Sequence, residues 1–107
     1  MADTPYTYVQ DVPIDESVYR QIIDRIGDRP VDGCLLHLCV RQPDGGLRYL
    51  DIWESEEACT RAFDERIHPA VYSVFKEIGF RPDGEPGVER LELLDASGSM
   101  VVGAYAR

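Results

Sequence analysis

Tyr49, Asp51 and Trp53 stand at alternate positions in the segment Leu47–Trp53, LRYLDIW, so in a strand they would share one face. They are a phenol that can donate, a carboxylate that can take a proton and a ring that can stack, a set suited to holding a flat organic molecule and moving a proton on it. On an apolar face Asp51 would lose solvation, which raises a carboxyl pKa and suits it to act as a base; the plainer alternative is a carboxylate bonded to backbone or to an arginine. Trp53, the only tryptophan, is either a stacking surface or core filler beside an apolar helix. Tyr8, from an earlier strand, could donate to a ligand oxygen like Tyr49, or simply bond a carbonyl. Phe63 could cover the other side of a ring stacked on Trp53, and Arg90 would join the group only if the last strand turns that side inward.

The rest of the sequence offers little competing chemistry. His37 and His68 lie far apart, and Cys34, Cys39 and Cys59 form no CxxC pair, so no metal-ligand spacing is present. There is no phosphate-cradling glycine loop, no G-x-S-x-G and no Cys/His nucleophile pattern, and the reading is of a site without metal or other cofactor. A net charge of -9, spread along the chain, opposes attraction to nucleic acid. No apolar run is long enough for a membrane span, and the first ten residues lack the basic and apolar regions of a signal peptide. An odd number of cysteines, three, argues for reduced thiols and a cytoplasmic protein.

The elements that must position these residues are legible in order. The 107 residues make a single domain, with 1–5 expected as a mobile N-terminus and 99–107 as a strand-like tail. Tyr6–Val12 reads as a strand closed by Pro13. A helix follows with Asp15 as N-cap, an apolar stripe of Val18, Tyr19, Ile22, Ile23 and Ile26, and Gly27 as its stop. Cys34–Arg41 is a nearly continuous apolar strand, and Pro43-Asp44-Gly45-Gly46 turns it back on Leu47–Trp53 as a hairpin. With a two- or four-residue loop, Leu36, Leu38 and Val40 share the face of Tyr49, Asp51 and Trp53, while His37 and Cys39 go to the opposite, barrel side. An odd loop with a bulge reverses that assignment. On the even register His37 is an interface residue rather than a base.

Ser55 and the two glutamates after it open a second helix whose stripe runs from Ala58 to Ile78, with a kink or break expected near residues 65–68 because of Pro69. His68 would then sit exposed at the break. Residues 88–94 form the last strand of the domain, and 100–106 a further strand candidate. The order βαββαβ is the ferredoxin-like α+β arrangement, an antiparallel sheet with both helices on one face. Its uncovered face would show Cys39, Leu50, Ile52 and either Leu91 and Leu93 or Val88 and Leu94, apolar enough to call for a second copy of the chain.

With the glycine of Asp32-Gly33, the hairpin, and Asp51-Ile52-Trp53-Glu54-Ser55-Glu56-Glu57 at the strand-to-helix junction, the chain resembles the dimeric α+β-barrel proteins of the antibiotic biosynthesis monooxygenase type over residues 6–94. The resemblance implies a homodimer with sheets packed back to back, and in each subunit a cavity between sheet and helices lined by Trp53 with Asp51 and Tyr49. It implies a small aromatic or quinol-like ligand and, in some members, oxidation without cofactor. Two signatures depart from the pattern. A heme-ligating histidine would fall near Ala62, Phe63 and Asp64, and the asparagine of some cofactor-free oxygenases is Tyr49 here. Three readings stay open: an enzyme of this type, a non-catalytic binder using the same cavity, and a structural dimer whose cavity is filled by its own side chains. An empty volume of at least ~300 Å³ beside Trp53 would set the last apart.

Overall fold

The computed structural model describes residues 5–98. The elements are β1 (Tyr6–Val12), α1 (Glu16–Ile26), β2 (Cys34–Arg41), β3 (Leu47–Trp53), α2 (Glu56–Ala62), a π-helical turn (Phe63–Ile67), α3 (His68–Ile78) and β4 (Glu89–Leu91). The sheet is antiparallel in the order β2-β3-β1-β4, so the ferredoxin-like α+β arrangement is realised. The strand-like segment 100–106 and all but Pro5 of the N-terminal stretch lie outside the described residues.

The helix starts follow from their caps. Asp15 Oδ1 accepts from the Val18 N–H at 2.9 Å and Ser55 Oγ from the Ala58 N–H at 3.1 Å, each satisfying one of the donors that a first turn leaves unpaired. Gly33 has φ +84, and a Cβ there would lie 2.7 Å from Ala58 Cβ, so only glycine lets the chain pass under the first turn of α2. The Gly33 carbonyl accepts from the Glu54 N–H at 2.8 Å, tying that passage to the end of β3.

The expected break in the second helix is a single π-helical turn. Pro69 has no N–H to continue the ladder, and the His68 N–H reaches back to the Phe63 carbonyl, so the backbone widens over 63–67 and a regular helix resumes with Pro69 in its first turn. Arg66, on this turn, holds the end of α1 and the connection after it through the carbonyls of Ile26, Arg29 and Pro30 at 3.0, 2.9 and 2.7 Å. His68 is half-buried rather than exposed, its ring between Phe63 and Tyr72.

The register of the hairpin corrects the even-loop expectation. Gln42 and Gly46 still pair, the Gly45 N–H donates to the Gln42 carbonyl at 2.8 Å, and Gly45 has φ +92, so Pro43, Asp44 and Gly45 form the three-residue loop that ends in a left-handed glycine. His37 therefore pairs with Asp51 and Cys39 with Tyr49, on one face, while Leu36, Leu38 and Val40 go to the other with Ile52, Leu50 and Arg48. A bulge between Cys34 and Leu36 adds Leu35 and shifts the strand by one, so Cys34 and His37, three apart, both face the helices.

The last strand is shorter than expected. Thr7 pairs with Leu91, so continuation would set residue 93 against Pro5, which has no N–H to give the ladder. The sheet face away from the helices thus carries Leu36, Leu38, Val40, Leu50, Ile52 and Leu91, with Val40 47% and Leu91 40% exposed. It is more apolar than the even register allowed, because His37 and Cys39 have left it.

Candidate functional site

The space between sheet and helices has two ends. At one, Tyr8, Trp53, Cys59 and Ala62 form a packed cluster under α2, joined by Cys34, Phe63 and Ile67 at its edge. At the other, α1 packs against α3 and both stand off from the sheet over a cavity of about 440 Å³. Its walls are mainly aliphatic and aromatic, with Ile22, Ile23 and Val71 from the helices and Trp53 at the inner end, and its polar groups from the sheet are Gln10, His37, Tyr49 and Asp51. The cavity exceeds the ~300 Å³ below which a small-molecule site is not expected.

Of the residues singled out in the sequence, Tyr49, Asp51, Trp53 and Phe63 line this cavity. Tyr8 is buried beside it and faces a second hollow of about 450 Å³ beyond Phe63 and His68. Arg90 is on the helix-facing side, opposite Tyr8, but lies outside the cavity, over the Tyr6 ring at 4.9 Å and 3.4 Å from Glu56. The expected sandwich is corrected as well. Trp53 and Phe63 have ring centroids 6.0 Å apart at 54°, in mutual contact, so they form one wall and leave no slot for a third ring between them.

Sequence reasoning missed two residues of this site. His37 Nδ1 lies 2.5 Å from Asp51 Oδ1, and its Nε2 lies 2.8 Å from the Tyr19 hydroxyl. Asp51 is 3% exposed, whereas the His37 side chain keeps 33% of its surface open. With the carboxylate accepting, Nδ1 carries the hydrogen, Nε2 holds the lone pair and the Tyr19 O–H donates to it. Tyr49 packs its edge against the imidazole at 5.1 Å and Tyr19 stacks near it at 6.1 Å, which fixes the ring plane. Tyr19 was readable only as part of the α1 stripe. For His37 the available signal was Pro43-Asp44-Gly45, the composition of a three-residue loop.

The phenols of the site are held neutral. Burial, reinforced by Cys39, pushes Tyr19 up to about 12, and burial again places Tyr49 well above the ordinary tyrosine value. Burial and then the charge of Asp51 do the same to Tyr8. Near neutral pH all three are donors. Burial, with Asp51 adding to it, also raises the Cys34 thiol to about 11, and burial raises Cys59 to about 12, so neither is a thiolate nucleophile there. Tyr8 Oη and Trp53 Nε1 are buried with no hydrogen-bond partner of good geometry among the described residues, although Asp51 is near enough to bear on Tyr8 ionisation.

The mouth is bounded by the loop after α3. His68 Nε2 pairs with Glu85 Oε1 at 2.9 Å and Gln10 Nε2 donates to the Pro86 carbonyl at 2.8 Å, so this loop is tied down beside both hollows. Among the described residues no cluster of three or more His, Cys, Asp or Glu side chains could hold a metal ion.

This architecture is found in solved structures. A protein from Caulobacter crescentus described as a candidate antibiotic biosynthesis monooxygenase superposes with a TM-score of 0.62 at 16% identity, over 87% of this chain and 92% of that one. A protein from Chloroflexus aurantiacus with the same description gives 0.60 at 13%, over 89% and 98%. The fold is that of the antibiotic biosynthesis monooxygenase-like proteins. A Mycobacterium tuberculosis protein shares it as well, with a TM-score of 0.57 at 20% identity over 87% and 98%. The resemblance read from the Trp53 junction is thereby borne out as a fold. No family model and no curated protein matches the chain.

Proposed function

We propose that the chain is a small-molecule-binding protein that holds a flat, mostly apolar organic molecule in the cavity beside Trp53 and oxidises it without metal, flavin or heme. The observation that carries this reading is the open volume of about 440 Å³, apolar on its helix walls and polar at one patch of the sheet around Asp51. That volume favours the binding reading over a structural dimer with a self-filled cavity. In the proposed reaction a proton leaves an activated carbon or phenol, Tyr49 donates to the oxygen that becomes negative, and the electron-rich anion reacts with dioxygen. An activated CH₂ becomes C=O and the second oxygen atom leaves as water, so the substrate supplies all the electrons. The similar folds of proteins described as monooxygenases support the oxidative step. Hydroxylated polycyclic aromatics and quinols should quench Trp53 fluorescence and consume dioxygen, with oxygen uptake reduced at least tenfold in Trp53→Ala. Absence of quenching by any of them would remove the ligand-binding reading, and quenching without oxygen uptake would leave a non-catalytic binder.

The same reading includes a homodimer through the sheet face away from the helices. Its support is the apolar row from Leu36 to Val40 together with Leu50 and Leu91, which is unusual for a face meant to remain in water. Light scattering at micromolar concentration should give twice the chain mass; a monomer mass there contradicts it. Three unpaired cysteines, Cys34, Cys39 and Cys59, support a reducing, cytoplasmic setting, and no helix among the described residues is long and apolar enough to cross a membrane. Labelling of cysteines in freshly lysed cells tests that placement, since oxidised thiols would oppose it.

A further inference from the structure

We propose that His37, not Asp51, is the proton acceptor of the cavity, and that its ligand is a flat, uncharged phenol or enol whose hydroxyl takes the place that Tyr19 Oη holds on Nε2. The inference rests on reading the cavity as a small-molecule site and names the group and the ligand class of that site. Asp51 is poorly placed to meet a ligand. It is almost wholly buried, and Oδ1 is committed to Nδ1 at 2.5 Å. His37 is the outer member of the pair, with a third of its side chain open and its lone pair directed to a hydroxyl 2.8 Å away. That hydroxyl belongs to Tyr19, a cavity-lining phenol on α1, so the protein's own side chain shows the geometry in which an incoming aromatic O–H would be bound.

The proton balance closes within the site. The ligand O–H bond breaks, an Nε2–H bond forms, and the imidazolium lies between the Asp51 carboxylate and the new oxyanion. The site carries one negative charge before and after the transfer, so no further reactant is needed. Asp51 is then a positioning residue: it fixes the tautomer that leaves Nε2 free and stabilises the charge His37 acquires. The remaining groups that face the imidazole are Tyr49 and Tyr19, with Cys39 behind them, and burial holds these three in their neutral forms. Among the described residues no lysine or arginine lines the cavity to receive an anion, and the Asp51 charge opposes one. The ligand must therefore enter with its proton and lose it after binding, which selects weakly acidic hydroxyls over carboxylic acids.

The probe is 7-hydroxycoumarin, whose phenol and phenolate absorb at different wavelengths, titrated against the full chain about one pH unit below the pKa of the free probe. Binding is measured by calorimetry and ionisation by absorbance. The parent should bind the probe with the phenolate band. His37→Gln should bind at least tenfold more weakly and only as the neutral phenol, and Asp51→Asn should lose most of the phenolate band with unfolding midpoint and binding retained. Tyr19→Phe, which vacates Nε2, should keep or strengthen the band. Binding as the neutral phenol by the parent, or an equal phenolate band in His37→Gln, overturns the assignment of His37 while leaving the cavity reading intact. Loss of the band in Tyr19→Phe overturns the displacement. No binding by the parent overturns both readings.

Discussion

The two ends of the space between sheet and helices are built from the same sheet face and do opposite things. Under α2, Tyr8, Trp53, Cys59 and Ala62 are each less than a tenth exposed and close on one another. Under α1 and α3, Tyr49 from the strand of Trp53 and His37 from β2 open on a cavity. The cause is local. Gly33 lets the chain pass directly beneath Ala58, drawing α2 down onto the sheet, whereas α1 and α3 are held by each other, with Arg25 bonded to Ser73 and Glu77, and by Arg66 at the end of α1. Ile22 and Val74 are buried at the second end too, but only there does the sheet face present polar side chains to open space.

That comparison breaks first at Trp53. Trp53→Ala should cost about 3–5 kcal/mol in urea unfolding, since it removes the largest side chain of the packed end. Val71→Ala, at the hollow end, should cost less than about 1 kcal/mol because its side chain already borders open space. Similar costs at both positions would mean the two ends are packed alike.

A smaller effect should appear in alkaline solution. The native state holds protons on Cys34 to about 11 and on Cys59 and Tyr19 to about 12, whereas the unfolded chain releases them near the ordinary values of about 8.5 for cysteine and about 10 for tyrosine. Between those limits the native state binds more protons than the unfolded one, so stability falls as pH rises and is unaffected by these groups below about pH 8. Urea midpoints between pH 7 and 10.5 should decline accordingly, and Cys34→Ala should flatten the early part of the decline. A flat profile in the parent would show these groups to be solvated.

The fold was legible because its signals are local. Asp15 and Ser55 are caps that act within three residues, and Pro69 interrupts the helix ladder where it falls. The site was half legible for a different reason. Asp51, Tyr49 and Trp53 share a face by the period of one strand, but the neighbours of Asp51 depend on loop parity and on a bulge. A single residue more or less at 42–46 sends His37 to the other side of the sheet. The bulge at Leu35 leaves no mark in composition, and Tyr19 could be placed only once α1 was set over β2 and β3.

The central claim is that the space beside Trp53 is open and receives a ligand, and filling it tests that most directly. Val71→Trp places a large ring into the cavity from α3. Unfolding midpoint and 7-hydroxycoumarin affinity should be measured together on this variant. An open site predicts stability within about 1 kcal/mol of the parent and affinity reduced at least tenfold, because the new ring occupies the ligand's volume. Destabilisation of about 1–3 kcal/mol, as for an overpacked core, with affinity unchanged, would contradict it.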